Sequence, residues 1–173
     1  SNITSIFRKD YFVNPHEHVA NEETLALYHF NNDSFYGENE TLFVDFSNNR
    51  NNGTCSGVAC PSSALGRFST RTVDFTQAGD YIQVLDKPEL DGMSNFSIAA
   101  WIYPRTAGGG GLGHIINKFN SYIFRIDASG PRINFRVYNN TDWSQMYTTS
   151  TISYNRWIHV VAVYNGTRLK VYI

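Results

Sequence analysis

The closing stretch NRWIHVVAVYNGTRLKVYI, from Asn155 to Ile173, constrains the fold more than any other part of the chain. Asn165-Gly166 is a strong short turn signal, because a two-residue type I′ turn needs positive φ at both central positions. With that turn, Tyr164 is expected opposite Thr167, Ala162 opposite Leu169, Val160 opposite Val171 and Ile158 opposite Ile173. Ile158, Val160 and Ala162 then share a face with Leu169, Val171 and Ile173. The other face sets His159, Val161 and Val163 against Tyr172, Lys170 and Arg168. One side is uniformly apolar and the other mixed, as a half-buried antiparallel sheet requires. An isolated hairpin is marginal in water, so further strands must surround it.

The preceding sequence supplies them. From Leu25 onward, short strand-like runs such as TLALYHF, TLFVDF, RTVDF, YIQVL and NFSIAAWIYP alternate with turn clusters roughly every ten residues. HIINKF, SYIFRID, PRINFRVY and QMYTTSTI continue the series. No segment holds an apolar 3.6-residue period beyond two helical turns, so the expected class is all-β, a sandwich or barrel. In FSIAAWIYP, Phe96, Ile98, Ala100 and Ile102 alternate with Ser97, Ala99, Trp101 and Tyr103. The same alternation turns Tyr122, Phe124, Ile126, Ile133, Phe135 and Val137 inward, and Arg125, Asp127, Asn134, Arg136 and Tyr138 outward. Residues 1–24 lack a sustained period and read as an N-terminal extension or interdomain arm, leaving 25–173 as the sandwich domain.

Composition narrows the functional class. A length of 173 residues suits one domain with a real core, and 15% aromatic residues against 17% charged favours pleated, half-buried surfaces. A formal charge of −1 leaves no nucleic-acid footprint, and no apolar run approaches the roughly 20 residues that span a bilayer. No signal peptide opens the chain, which is therefore expected to start after processing or inside a longer protein. Cys55 and Cys60 lie in NNGTCSGVACPSS with no further Cys or His at ligand spacing nearby, so a small looped disulfide is expected rather than a metal site. Closing that loop adds roughly 2 kcal/mol in the chain-entropy model and implies an oxidising, extracellular or cell-surface location. Acceptor triplets for N-glycosylation begin at Asn2, Asn32, Asn39, Asn52, Asn95, Asn139 and Asn165, in keeping with a secreted protein.

Taken in order, LALYHFNND, VDFSNNRNNGTC, TVDFTQAGDYIQV, NFSIAAWIYP, HIINKFNSYIFRID and NRWIHVVAVYNGTRLKVYI make a succession that resembles the laminin G-like domains of the concanavalin A-like lectin and glucanase superfamily. The resemblance covers about residues 25–173. It implies a jelly roll of two curved antiparallel sheets. It also implies further strands after the closing hairpin, so the sandwich is expected to lack its last strands here. Either the chain is a piece of a longer protein, or another segment or another copy adds a strand to the open edge.

Several residues are candidates for function. The resemblance implies one structural Ca²⁺ ion held by loop oxygens, with Asp33 and Asp45 in the matching stretches; the plainer reading of Asp45 is an Asx turn with Ser47 and Asn48. His16 and His18 would share one side of a strand but have no third ligand, and His159 beside Trp157 reads as a packed structural residue. Sugar binding wants an aromatic face ringed by hydrogen-bonding groups, and VYNNTDWSQMY supplies Tyr138, Asn140, Asp142 and Trp143. Arg125, Arg136, Arg168 and Lys170 would add a strip for anions where their strands adjoin. Catalysis has little to stand on, because no strand pairs carboxylates as glycoside hydrolysis requires. The expected function is a non-catalytic glycan- or glycoprotein-binding, adhesive module. The alternatives are a structural subunit of an extracellular filament or surface layer assembled by strand exchange, and a residual glycoside hydrolase.

Overall fold

A computed structural model describes residues 17–68, 71–127 and 129–173. They form twelve strands and four single-turn 3₁₀ helices, every strand pair is antiparallel, and no α-helix occurs among the described residues. The chain divides into two compact units, Ser1–Leu85 and Asp86–Ile173, so the 25–173 span expected as one domain runs through both. Asn2 and His16 lie outside the described residues.

Unit 1 is built from short strands. β1 (Leu42–Phe43), β2 (Gly53–Thr54) and β5 (Gln83–Val84) make a three-stranded sheet in the order β1-β2-β5, and β3 (Ser62–Leu65) pairs with β4 (Arg71–Asp74). Gly53 sits in the middle strand, where a Cβ would come within 2.5 Å of Ile82 Cγ2, so a side chain there would have to displace Ile82. TLALYHF, expected as a strand, is not one. The Leu27 N–H donates to the Asp45 side chain rather than to a ladder, and positive φ at Phe30 (58°) and Asn32 (53°) ends the extended run. Its aromatics pack instead: Tyr28 stacks on Phe30 at 5.6 Å, and His29 on Phe46 at 4.4 Å. The end of the expected arm is tied down here, where Asn31 donates to Glu17 Oε1 at 2.6 Å and Glu17 Oε2 lies 3.6 Å from His29 Nδ1. The expected disulfide is present, joining Cys55 to Cys60 across the 3₁₀ turn Gly57–Ala59.

Unit 2 is a sandwich. One sheet runs β12-β11-β6, from β6 (Phe96–Ile102), β11 (Ile158–Tyr164) and β12 (Leu169–Tyr172). The other runs β10-β9-β8-β7, from β7 (Leu112–Lys118), β8 (Tyr122–Asp127), β9 (Arg132–Tyr138) and β10 (Trp143–Tyr147). The core lies between them. Tyr122, Phe124, Ile126, Ile133, Phe135 and Val137 from the second sheet meet Ile158, Val160 and Ala162 from the first, with Phe96, Ile98, Ala100 and Ile102 against them. These are the inward sets that alternation selects. Gly108 and Gly113 bring the β6–β7 connection back onto itself: a Cβ at Gly108 would stand 2.5 Å from Gly113 Cα.

The closing hairpin differs from expectation in its turn. Tyr164 pairs with Leu169, Ala162 with Val171 and Val161 with Tyr172, a register two residues away from the one a two-residue turn would set. Asn165 does not take the positive φ that a type I′ turn demands of it, although Gly166 does, at 89°. The loop instead spans Asn165–Arg168, with the Asn165 N–H donating to Arg168 O and Asn165 Oδ1 accepting from the Thr167 and Arg168 N–H groups. Because side chains alternate with a period of two, a slip of two leaves every residue on its expected face. The β11–β12 ladder reaches only to Val161 and Tyr172, so Ile158 does not pair with Ile173; on its other side it pairs with Ile102 of β6. His159 is not packed beside Trp157; it is exposed and lies 4.9 Å from the Trp101 ring, while Trp157 meets Tyr103.

Candidate functional site

The face of the β10-β9-β8-β7 sheet opposite the core gathers most of the predicted ligand residues. The register sets Trp143 beside Tyr138, Gln145 beside Arg136, and Tyr147 beside Asn134. On the next strands Arg136 neighbours Ile123, Asn134 neighbours Arg125, and Arg125 neighbours His114. At one end of this face the Tyr138 and Trp143 rings lie 5.2 Å apart, and the Arg136 guanidinium sits 4.8 Å over the Trp143 ring. A cation above an aromatic face is held by the ring's negative quadrupole, which fixes both side chains in place. Arg136 Nε is buried and has no hydrogen-bond partner among the described residues.

The other end is closed by its own hydrogen bonds. Arg125 Nε donates to Asn134 Oδ1 at 3.1 Å, and its Nη2 lies 3.4 Å from Asp127 Oδ2. Asn134 is fully buried and its Nδ2–H donates to Met146 O at 3.1 Å. Asp127 accepts from the Ser129 hydroxyl (2.6 Å) and N–H (3.0 Å), and these bonds hold its carboxyl below the usual carboxylate range. His114, one strand over and exposed, is held below its ordinary 6.5 first by partial desolvation of its ring and then by the Arg125 charge. The unfolded chain therefore takes up a proton that the folded chain resists. The stability owed to this histidine is full above pH 6.5 and declines as pH falls through that value toward the lower folded one. His114→Gln is expected to flatten that part of the acid limb. Urea midpoints for both proteins between about pH 5 and 8 test it, and parallel curves would contradict it.

The rest of the predicted set is divided. Asn140, with φ of 73°, is an exposed corner of the β9–β10 turn, and Asp142 Oδ1 accepts the Trp143 N–H at 2.7 Å. Arg168 and Lys170 do not join Arg125 and Arg136: they belong to the β11–β12 hairpin, in the other sheet. The strip of four cations is thereby corrected to a pair. His114, Gln145 and Tyr147 join this face through cross-strand register, and Asn134, which alternation turns outward, is not among the predicted ligand residues.

The Asp33 and Asp45 pair belongs to unit 1. Asp33 caps a 3₁₀ turn, accepting the Phe35 N–H at 2.9 Å. Asp45 is fully buried. Its Oδ1 accepts from the Leu27 and Ser47 N–H groups at 2.7 and 2.8 Å, and its Oδ2 from the Ser47 hydroxyl and the Asn51 N–H, both at 2.7 Å. A carboxylate offers about four lone-pair positions, and all are filled by protein donors. Nearby Asn51 Oδ1 is buried and unpartnered, but that is one oxygen toward the roughly six to eight that Ca²⁺ takes. The donor set does not fit a cation at Asp45. The Asp45–Ser47 bonds make the Asx turn of the plainer reading, with the Asn51 N–H rather than Asn48 as the further donor. No cluster of three or more His, Cys, Asp or Glu suited to a metal occurs among the described residues.

A family model described as the concanavalin A-like lectin/glucanases superfamily, of laminin G type, matches residues 76–173, more than half of the chain and the whole of unit 2. The chain belongs to this superfamily. Searches of curated proteins and of solved structures find no match. Membership agrees with the observed all-β, antiparallel architecture and with a jelly-roll sandwich. Concanavalin A-like, laminin G-type domains are in general carbohydrate-binding or adhesion modules, typically extracellular and non-enzymatic, though the superfamily also holds glycosidases. The disulfide is in keeping with an oxidising compartment, and no helix among the described residues is long and apolar enough to cross a membrane.

Proposed function

We propose that the chain is a non-catalytic glycan-binding module of a secreted or cell-surface protein, and that it binds sugar at the Tyr138–Trp143–Arg136 end of the four-stranded sheet. The observation that carries this reading is the cluster of an aromatic pair with a guanidinium beside it on one end of the sheet face. A sugar ring has an apolar face that packs on an indole and a rim of oxygens that accept hydrogen bonds. Trp143 and Tyr138 offer the first surface, and Arg136, whose guanidinium lies 4.8 Å over the Trp143 ring, sets a charged donor group beside it. Catalysis is disfavoured by the carboxylates. Asp127 is the only acid on the seven strands of unit 2, and it is engaged by Ser129 and Arg125. Glycoside hydrolysis needs a second carboxyl group flanking the bond to be broken.

Binding of the purified chain to a printed array of neutral and acidic oligosaccharides, repeated with Trp143→Ala and Arg136→Gln, tests the proposal. Trp143→Ala is expected to weaken the strongest interaction about tenfold or more, equivalent to roughly 1.4 kcal/mol. Arg136→Gln is expected to weaken it as well, by removing both the donor and the cation over the ring. An array profile indifferent to both substitutions would remove the site.

A further inference from the structure

Three exposed turns share one arrangement. Asn39, Asn139 and Asn165 each begin an Asn-x-Thr triplet. In each, Oδ1 accepts from the N–H and the hydroxyl of the Thr two residues on: 2.8 and 2.9 Å at Thr41, 3.1 and 2.8 Å at Thr141, and 3.2 and 3.2 Å at Thr167. Each also accepts the next N–H, from Leu42, Asp142 and Arg168 respectively. The oxygen of a planar amide is thus turned into the loop, and Nδ2 points out of it. All three asparagines are exposed, and no acceptor among the described residues engages their Nδ2. A group carried on Nδ2 would break no hydrogen bond of the fold.

Asn139 differs from the other two in its place. It directly follows Tyr138, and its turn closes one residue before Trp143, where the Asn139 N–H donates to Asp142 O at 3.1 Å. A branched chain of sugar rings beginning there starts one residue from the aromatic pair.

We propose that Asn139 is an N-glycosylation site whose attached glycan lies over the Tyr138–Trp143 pair, so that occupancy of this one site controls access to the binding face. The inference rests on the proposed sugar-binding function of that face. In the modifying step, Asn139 Nδ2 forms a bond to the anomeric carbon of a lipid-pyrophosphate-linked oligosaccharide. The bond from that carbon to the pyrophosphate oxygen breaks, and the lipid pyrophosphate leaves with the electron pair. One amide proton passes to a carboxylate of the transferring enzyme.

The test uses the full chain secreted from a glycosylating host. Peptide mass mapping reads Asn139 as Asp after enzymatic glycan release if the site was occupied. Binding is then compared on the same oligosaccharide array for the secreted chain, the released chain, Thr141→Ala and Thr141→Ser. Thr141→Ala abolishes the triplet but keeps Asn139 and its two N–H bonds, so the turn survives; Thr141→Ser keeps the triplet. The expected result is an occupied Asn139, with Thr141→Ala and the released chain binding about tenfold more tightly than the secreted chain and Thr141→Ser remaining weak. An unmodified Asn139, or equal binding by occupied and unoccupied chains, overturns the proposal and leaves the sugar-binding reading intact. No binding by any of the four overturns both.

Discussion

Asp45→Ala is expected to lower the unfolding free energy by about 3–5 kcal/mol, because it leaves several buried donors without acceptors at a cost of roughly 1–3 kcal/mol each. The donors are the N–H groups of Leu27, Ser47 and Asn51 and the hydroxyl of Ser47. They come from three places in the chain, so the carboxylate ties the 25–28 segment to both ends of the loop that follows Phe46. Neighbouring bonds depend on the same arrangement: the Ser47 hydroxyl and Asn51 Nδ2 both lie 3.1 Å from Leu25 O, and the Tyr28 hydroxyl donates to Asn51 O. Asp45→Asn should cost less, since Oδ1 can still accept from Leu27 and Ser47 while the new NH₂ faces the Asn51 N–H. Urea unfolding followed by circular dichroism measures both. A loss below about 1 kcal/mol for the alanine variant would show that the network is not what holds this loop. Because the four acceptor positions are filled, Ca²⁺ and a chelator are expected to leave the wild-type midpoint unchanged, and a rise with Ca²⁺ would contradict the assignment of Asp45 to protein donors alone.

Phe135→Ala is expected to cost unit 2 about 3–5 kcal/mol, the range for emptying a buried aromatic site. Phe135 is fully buried on β9, an inner strand of its sheet, with Phe96 at 5.8 Å and Phe124 at 6.0 Å between ring centroids. Both partners are anchored in strands, so the cavity can collapse only by distorting the sheets. Tyr172→Ala, on the exposed face of β12, is the control and should change stability by no more than about 0.5 kcal/mol. The same unfolding measurement decides, and comparable losses at the two positions would mean that the sandwich is not packed around Phe135.

Much of unit 2 is legible in the sequence because strand burial has a period of two, which any run of six or seven residues displays. YIFRID and INFRVY identify their inward and outward faces unaided, and so does FSIAAWI. That local rule is indifferent to even slips, which is why the closing hairpin keeps its faces although its turn holds four residues and its register moves by two. It fails where the chain is extended without a ladder. TLALYHF has the right composition for a strand, but Asp45, eighteen residues beyond Leu27, takes its N–H. The strand expected in QMYTTSTI begins earlier, at Trp143, because Trp143 pairs with Tyr138 across a turn that Asn139 holds.

The candidate site is legible only in part. The aromatic and polar members of VYNNTDWSQMY are neighbours in sequence, so their clustering needs no tertiary information. Arg136 reaches Trp143 through a single hairpin. By contrast, Arg168 and Lys170 have the same outward phase as Arg125 and Arg136 but stand in the other sheet, and the fully buried Asn134 has the same phase as half-buried Arg136.

From the sequence alone follow the all-β class, the apolar face of each unit 2 strand and the Cys55–Cys60 bridge, since each depends on residues a few positions apart. The tertiary structure alone decides which strands adjoin, which outward polar groups are closed off by one another, and which carboxylate is filled by donors. Those outcomes depend on strand order within a sheet and on bonds between residues far apart in the chain, and a period of two carries no record of either.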